Sequence, residues 1–248
     1  MDRSRGPQGN RIRPETRDSI PTVRPEDSII RLDDASLLPV LISPDEATRI
    51  DRKTIHAKYY NSFNFSKLAA SFGDHRTTLG ITSANRGDGK TLVASNIAVS
   101  LATGYKQKTL LVDMNFEHPN LHSIFGTAQT PGMAEAIAFQ KIHVVPSRID
   151  HLYVMTTGDN KLHRPGIEHT LVLRQIFQTL KSRFDFIIID MPSILPVKGF
   201  PIHFINEIDG LISVVDTTRT KKSAFGRIFN HIDESRFIGY VFNRESDV

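Results

Sequence analysis

Nine consecutive residues constrain this chain more than any other stretch: Ser83-Ala84-Asn85-Arg86-Gly87-Asp88-Gly89-Lys90-Thr91. They follow an apolar run, Leu79 to Thr82, and precede a helix-like stretch, Leu92 to Leu101. The order is strand, glycine-rich turn, helix start. Glycines let the backbone turn its N–H groups inward as an anion nest. Lys90 can reach the β- and γ-phosphates of a nucleotide, and the Thr91 hydroxyl can ligate Mg²⁺. The helix N-terminus adds roughly half a positive charge facing the phosphates. The spacing predicts a phosphate-binding loop in which Asn85, Arg86, Gly87, Asp88, Gly89, Lys90, Thr91 and Leu92 surround the ligand. The strict G-x-x-x-x-G-K-[ST] form would have glycine at position 84, where this chain has Ala84.

Such a loop needs a sheet behind it, and the downstream sequence supplies one. Strands are expected at Thr77–Thr82, Thr109–Met114, Leu152–Met155, Phe186–Asp190, Gly210–Val215 and Phe237–Phe242. A helix is expected at Glu168–Ser182, with Leu173, Ile176, Phe177 and Leu180 on one face. Alternating β and α segments imply an α/β fold: a mainly parallel sheet flanked by helices, with right-handed crossovers. Ligands of such sheets bind at the carboxyl ends of the strands, where the loop lies.

Two carboxylates end apolar strands. One is Asp113 in Leu110-Leu111-Val112-Asp113, and the other is Asp190 in Phe186-Ile187-Ile188-Ile189-Asp190. A carboxylate at the end of a buried strand is costly unless something pairs with it. A cation, directly or through its water, would do so. Thr91, Asp113 and Asp190 are the expected Mg²⁺ site, and Lys90, Asp113 and Asp190 the expected catalytic groups if phosphate is transferred; the alternative for either carboxylate is a plain strand-end cap. His118 and His122, four apart, are expected to share a helix face. With no third ligand in view, they read as packing rather than as a zinc site.

Upstream of the loop the chain changes character. Residues 1–42 read as a disordered or extended tail, with seven arginines and four prolines in the first 34 positions. Residues 43–75 read as a helical arm. Ser43-Pro44-Asp45-Glu46 combines a cap, a first-turn proline and a capping-box glutamate, and the helix is expected to reach about Ser62. Residues 76–248 read as the nucleotide domain. With no cysteine in the chain, disulfides and thiol catalysis are excluded. The net charge of +4 argues against a dedicated nucleic-acid binder. No apolar stretch approaches the ~20 residues of a membrane span. The chain reads as a soluble cytoplasmic protein.

Three segments together resemble one family. Ser83 to Thr91 is similar to its Walker A loop, S-x-x-P-G-E-G-K-[ST]. Asp113, Pro119, Leu121, His122, Phe125 and Gly126 are similar to its Walker A′ and the run after it. Asp190-Met191-Pro192 is similar to its Walker B. Pro131-Gly132, Asp209-Gly210 and Val214-Val215 with Thr220 fit its spacing. By these residues the chain resembles the cytoplasmic domain of the bacterial tyrosine autokinases that regulate capsule and exopolysaccharide export, within the deviant Walker-A ATPases. The resemblance implies a P-loop fold, ATP and Mg²⁺ as cofactors, and transfer of the γ-phosphate to tyrosine. It also implies a membrane polysaccharide co-polymerase as partner, with the inner membrane face as the meeting place, and it raises a homo-oligomer.

The departures from the family pattern are specific. Asn115 and Glu117 stand where D-x-D-x-R has its second aspartate and its arginine. Arg86 replaces the usual proline, Gly199 a frequent aspartate, and Asn85 the signature lysine of the division-site relatives. The E-x-x-R-x-x-R assembly helix keeps only Arg52, Lys53 and Lys58. There is no tyrosine-rich tail. The chain has five tyrosines, of which Tyr59 and Tyr60 on the arm are adjacent. These departures support an alternative: a weakened pseudokinase, or a nucleotide-dependent scaffold of the export machinery.

Overall fold

A computed structural model describes residues 76–162, 165–195 and 202–221, most of 223–244, and the backbone of two short segments at 29–30 and 40–42. The expected arm at 43–75, with Tyr59 and Tyr60, lies outside the described residues, as does Gly199.

The strands in chain order are β1 (Ile29–Ile30), β2 (Val40–Ile42), β3 (Thr77–Ser83), β4 (Thr109–Asp113), β5 (Ile142–Pro146), β6 (Leu152–Met155), β7 (Phe186–Asp190), β8 (Gly210–Asp216) and β9 (Phe237–Asn243). The α-helices are α1 (Lys90–Gly104), α2 (Leu121–Phe125), α3 (Met133–Phe139) and α4 (Thr170–Lys181). The sheet order is β1-β2-β5-β6-β4-β7-β3-β8-β9. From β6 to β9 all neighbours are parallel, as the alternation of elements requires. β5 runs antiparallel to β6.

The central strands are buried on both faces, and their side chains divide by the two-residue period. Leu79, Ile81, Leu111 and Ile188 pack with α1 and α2. Leu110, Val112, Ile187 and Ile189 pack with α3, α4 and the 3-10 turn at Ile202–Glu207. α4 buries Leu173, Ile176, Phe177 and Leu180, the face read from the sequence. A 3-10 turn, Ile167–His169, takes up the start assigned to that helix.

β5 is a strand the sequence reading lacked. It pairs with β6 over only Val145↔Val154 and Pro146↔Tyr153, and its last residue is a proline, a loop signal away from sheet edges. β1 and β2, within the stretch read as a disordered or extended tail, continue the sheet beyond β5. His118 and His122 do not share a helix: α2 starts at Leu121, and His118 lies in the segment before it.

Gly80, at the middle of β3, shows how closely the sheet is covered. A Cβ there would stand 2.6 Å from Met191 Sδ, 2.8 Å from Leu211 Cδ1 and 2.9 Å from Ile208 Cδ1. Gly80→Ala is expected to destabilise the fold by about 1–3 kcal/mol through overpacking. A lowered urea midpoint at unchanged slope would show it.

Candidate functional site

β3 ends at Ser83 and α1 begins at Lys90, so the loop spans Ala84 to Gly89 at the carboxyl end of the central strands. Two glycines make its shape. Gly87 has φ +89° and Gly89 φ +99°, the left-handed region that a side chain disfavours. A Cβ on Gly89 would also collide with the side-chain amide of Asn243.

The loop is braced from two directions. Within it, Ser83 Oγ donates to the Asn85 carbonyl (2.6 Å), and the Asn85 N–H donates to Asp88 Oδ2 (3.1 Å). From the neighbouring strand ends, Thr220 Oγ1 donates to Asp88 Oδ1 (3.2 Å), and Asn243 Nδ2 donates to the Asp88 carbonyl (2.9 Å). Asp88 is thus a buried keystone and does not line the cleft.

A cleft of about 630 Å³ opens above the loop. Arg86, Gly87, Gly89, Lys90, Thr91 and Leu92 line it from the loop and the head of α1. Asn115, Glu117, His118, Pro119 and Asn120 line it from the segment after β4, with Ser193 after β7. Of the eight loop residues expected at the ligand, Asn85 and Asp88 are outside this lining.

Lys90 is buried, and its Nζ donates to Ser83 Oγ at 3.2 Å. Burial lowers its pKa; Asp190 and Asp88 oppose that shift and Arg86 adds to it. Thr91 Oγ1 donates to Asp190 Oδ2 at 2.6 Å. The other carboxylate oxygen, Asp190 Oδ1, is buried with no hydrogen-bond partner. Burial raises Asp190 to about 6, against the Thr91 hydrogen bond and the charge of Lys90.

Asp113 sits directly opposite Asp190 in the β4–β7 register. It has a different set of partners. Oδ1 accepts from the N–H of Asn115 (3.0 Å), and Oδ2 from the N–H groups of Asn120 (3.1 Å) and Leu121 (3.2 Å). The carboxylate therefore ties down the segment that forms the far wall of the cleft and the start of α2. Burial, then the neighbouring Asp190, push Asp113 up to about 8, although the three N–H bonds favour its ionised form. Two carboxyls this close and this buried repel one another when both are ionised. A divalent cation at the Thr91–Asp190 corner would relieve that repulsion. The orphaned Asp190 oxygen and the adjacent hydroxyl are an all-oxygen donor set of the kind Mg²⁺ takes.

Sequence reasoning did not find Ser83 as the rest of Lys90, nor Asn243 as a brace on the loop. Thr220 carried a spacing signal, but Asn243 is 155 positions from its partner and carried none. No helix among the described residues is long and apolar enough to cross a membrane.

No protein-family model matches the chain. It is 29% identical over 170 residues to the putative tyrosine-protein kinase CapB of Staphylococcus aureus, covering 66% of this chain and 73% of that protein. It is 26% identical over 196 residues to the tyrosine-protein kinase YwqD of Bacillus subtilis (77% and 82%). The succinoglycan biosynthesis transport protein ExoP of Rhizobium meliloti is 24% identical over 198 residues, which make up 75% of this chain and 25% of ExoP. Among solved structures, the chimerical protein CapA2B2 superposes with a TM-score of 0.64 at 23% identity, over 74% of this chain and 82% of that one. The kinase domain of the Escherichia coli tyrosine kinase ETK gives 0.62 at 20% identity (74% and 75%). The septum site-determining protein MinD of Pyrococcus horikoshii, complexed with Mg-ADP, gives 0.52 at 22% identity (68% and 71%). These structural likenesses show a shared fold.

Proposed function

We propose that this chain, which belongs with the bacterial tyrosine-protein kinases of the P-loop ATPase superfamily, binds Mg-ATP in the cleft above the loop and transfers the γ-phosphate to tyrosine. The observation that carries this reading is the head of α1. Lys90 and Thr91 stand on adjacent positions of its first turn, and the Thr91 hydroxyl is already bonded to the buried Asp190.

The roles follow from the contacts. Glycine-shaped backbone N–H groups hold the phosphates, and Lys90 neutralises them from below. Thr91 and Asp190 would hold Mg²⁺, which neutralises phosphate charge as the γ-phosphoryl group leaves. Asp113, expected from the sequence as a metal organiser or base, would act one step back. It fixes the 115–121 segment and lends its charge to the cation's surroundings. Catalysis in such a site is mostly positioning and charge neutralisation. Loop, lysine and carboxylates are the parts that supply it.

A second reading is supported by the same wall of the cleft. Asn115 and Glu117 line it, where a kinase would gain from an acid at 115 and a cation at 117. Asp113 has given both its oxygens to the backbone. On this reading nucleotide binding survives, transfer is slow, and the bound state is what a partner recognises. A ligand can drive such a switch only through unequal affinity for the two states. The partner by resemblance is a membrane polysaccharide co-polymerase, which would hold a cytoplasmic chain at the inner membrane face. Whether copies of the chain assemble is part of the same proposal.

Incubation of the purified chain with Mg-ATP, followed by mass spectrometry of phosphopeptides, separates the readings. We expect weak modification confined to Tyr59 or Tyr60. Tyr105 closes α1, and Tyr153 and Tyr240 belong to β6 and β9; stoichiometric phosphate confined to those positions would overturn the arm as the acceptor site. No phosphotyrosine, with tight Mg-ATP binding, would favour the regulator.

A further inference from the structure

We propose that Asn243 is a positioning residue of the phosphate loop: it holds the Asp88–Gly89 peptide with its carbonyl turned out of the cleft, so that the Gly89 N–H faces the phosphates. The proposal rests on the nucleotide reading above and gives a role in it to a residue 155 positions from its partner.

The peptide before a glycine is easily turned over. The rotation is absorbed by ψ of Asp88 and φ of Gly89, and glycine accepts φ of either sign. Gly89 has φ +99°, stands immediately before the first residue of α1, and lines the cleft. In one orientation its peptide offers an N–H to an anion. Turned over, it offers a carbonyl, whose negative end repels one. The helix fixes the next peptide, because the Gly89 carbonyl accepts from the Val93 N–H (3.0 Å), but it does not fix this one.

Asn243 makes the choice. Its Nδ2 donates to the Asp88 carbonyl at 2.9 Å. The peptide is trans, so its N–H points opposite to its carbonyl and away from Asn243. Asn243 is outside the cleft lining and Gly89 is part of it, so this direction is toward the cleft. The Asp88 carboxylate does not compete for the amide, since it is taken by Thr220 Oγ1 and the Asn85 N–H.

The asparagine is itself held in place. It is the last residue of β9, opposite Asp216 at the end of β8, and its carbonyl accepts from the Thr217 N–H at 3.1 Å. The next residue, Arg244, pairs with the buried Asp216, and its carbonyl accepts from Thr217 Oγ1 at 3.0 Å. The donor thus sits on a fixed strand end. A dipole oriented before the ligand arrives costs no reorganisation when it binds.

Calorimetry of the full chain with Mg-ADP and with magnesium pyrophosphate tests the assignment, because pyrophosphate has no base or sugar to contact. Asn243→Leu, which keeps the shape and removes the donor, and Asn243→Ala should each weaken both ligands about tenfold or more. Thr217→Val removes the side-chain bond to Arg244 at the same strand end without touching the loop, and should leave both ligands within about twofold. Urea titration of each protein reports stability beside affinity. The proposal is overturned if the Asn243 variants bind pyrophosphate as the wild type does. A loss confined to Mg-ADP would make Asn243 a base or sugar contact, and no loss at all would make it a structural strand end. It is equally overturned if Thr217→Val costs as much as Asn243→Leu. Should the Asn243 variants not fold, the isotope-labelled wild type decides: the Gly89 amide resonance should move on addition of magnesium pyrophosphate, and a resonance that stays in place overturns the proposal. A wild-type chain that binds neither ligand overturns the nucleotide reading together with it, whereas normal Mg-ADP binding with unaffected variants leaves that reading standing.

Discussion

Lys90→Ala is expected to weaken Mg-ATP and Mg-ADP binding by ten- to a hundredfold or more, with little change in the stability of the nucleotide-free chain. The first half follows from charge. Among the described residues Lys90 is the one buried cation lining the cleft, and hydrogen bonds to charged groups are worth about 1.5–3 kcal/mol each. The second half follows from burial. Desolvation already lowers the pKa of Lys90, so its charge is held at a cost that alanine removes. Against that stands the lost bond to Ser83 Oγ, and the two roughly offset. Titration calorimetry with each nucleotide, paired with urea denaturation of both proteins, separates loss of binding from loss of fold. Equal affinity in the two proteins would remove Lys90 from the phosphate site. A collapse of stability in the variant would make it a structural lysine.

The parts of the site that sequence reveals are those written in residue type. Gly87 and Gly89 are glycines because the loop needs positive φ, and Lys90-Thr91 must open a helix to face the nest they make. The strand ends were legible because Leu79, Ile81, Ile187, Ile188 and Ile189 form short apolar runs that only a sheet covered on both faces can bury. What stayed hidden is carried by the backbone or by distant partners. Asp113 was read as seeking a cation because its side chain is anionic. Its observed partners are three N–H groups, which every non-proline residue possesses and which leave no mark on residue choice. Asp88 was read as touching ligand, yet its partners Thr220 and Asn243 come from beyond β8 and from the end of β9. The short strand β5 was lost because a proline-ended pentamer gives too little alternation to register.

The two strand-end aspartates, which look alike in sequence, are expected to respond in opposite ways to the same substitution. Asp190→Asn removes a charge held at full burial and preserves shape. Its amide oxygen can still accept from Thr91, so the fold should keep its stability or gain slightly. The loss appears instead in Mg²⁺ dependence. The oxygen without a partner, Oδ1, is the one that would serve the cation, and metal partners of this kind are worth about 10–100-fold in affinity or activity. Asp113→Asn relieves the repulsion with Asp190 but sets an NH₂ group against backbone N–H donors from Asn115, Asn120 and Leu121. Leaving such donors unmet costs about 1–3 kcal/mol each, so the urea midpoint should fall and the 115–121 wall should loosen. Nucleotide binding would then weaken at every Mg²⁺ concentration. Nucleotide affinity measured across a Mg²⁺ series, with a urea titration of each protein, gives both readouts. If Asp113→Asn is as stable as the wild type and loses only its Mg²⁺ dependence, Asp113 is a metal ligand after all. The backbone bonds to its oxygens would then be rearranged whenever the cation binds.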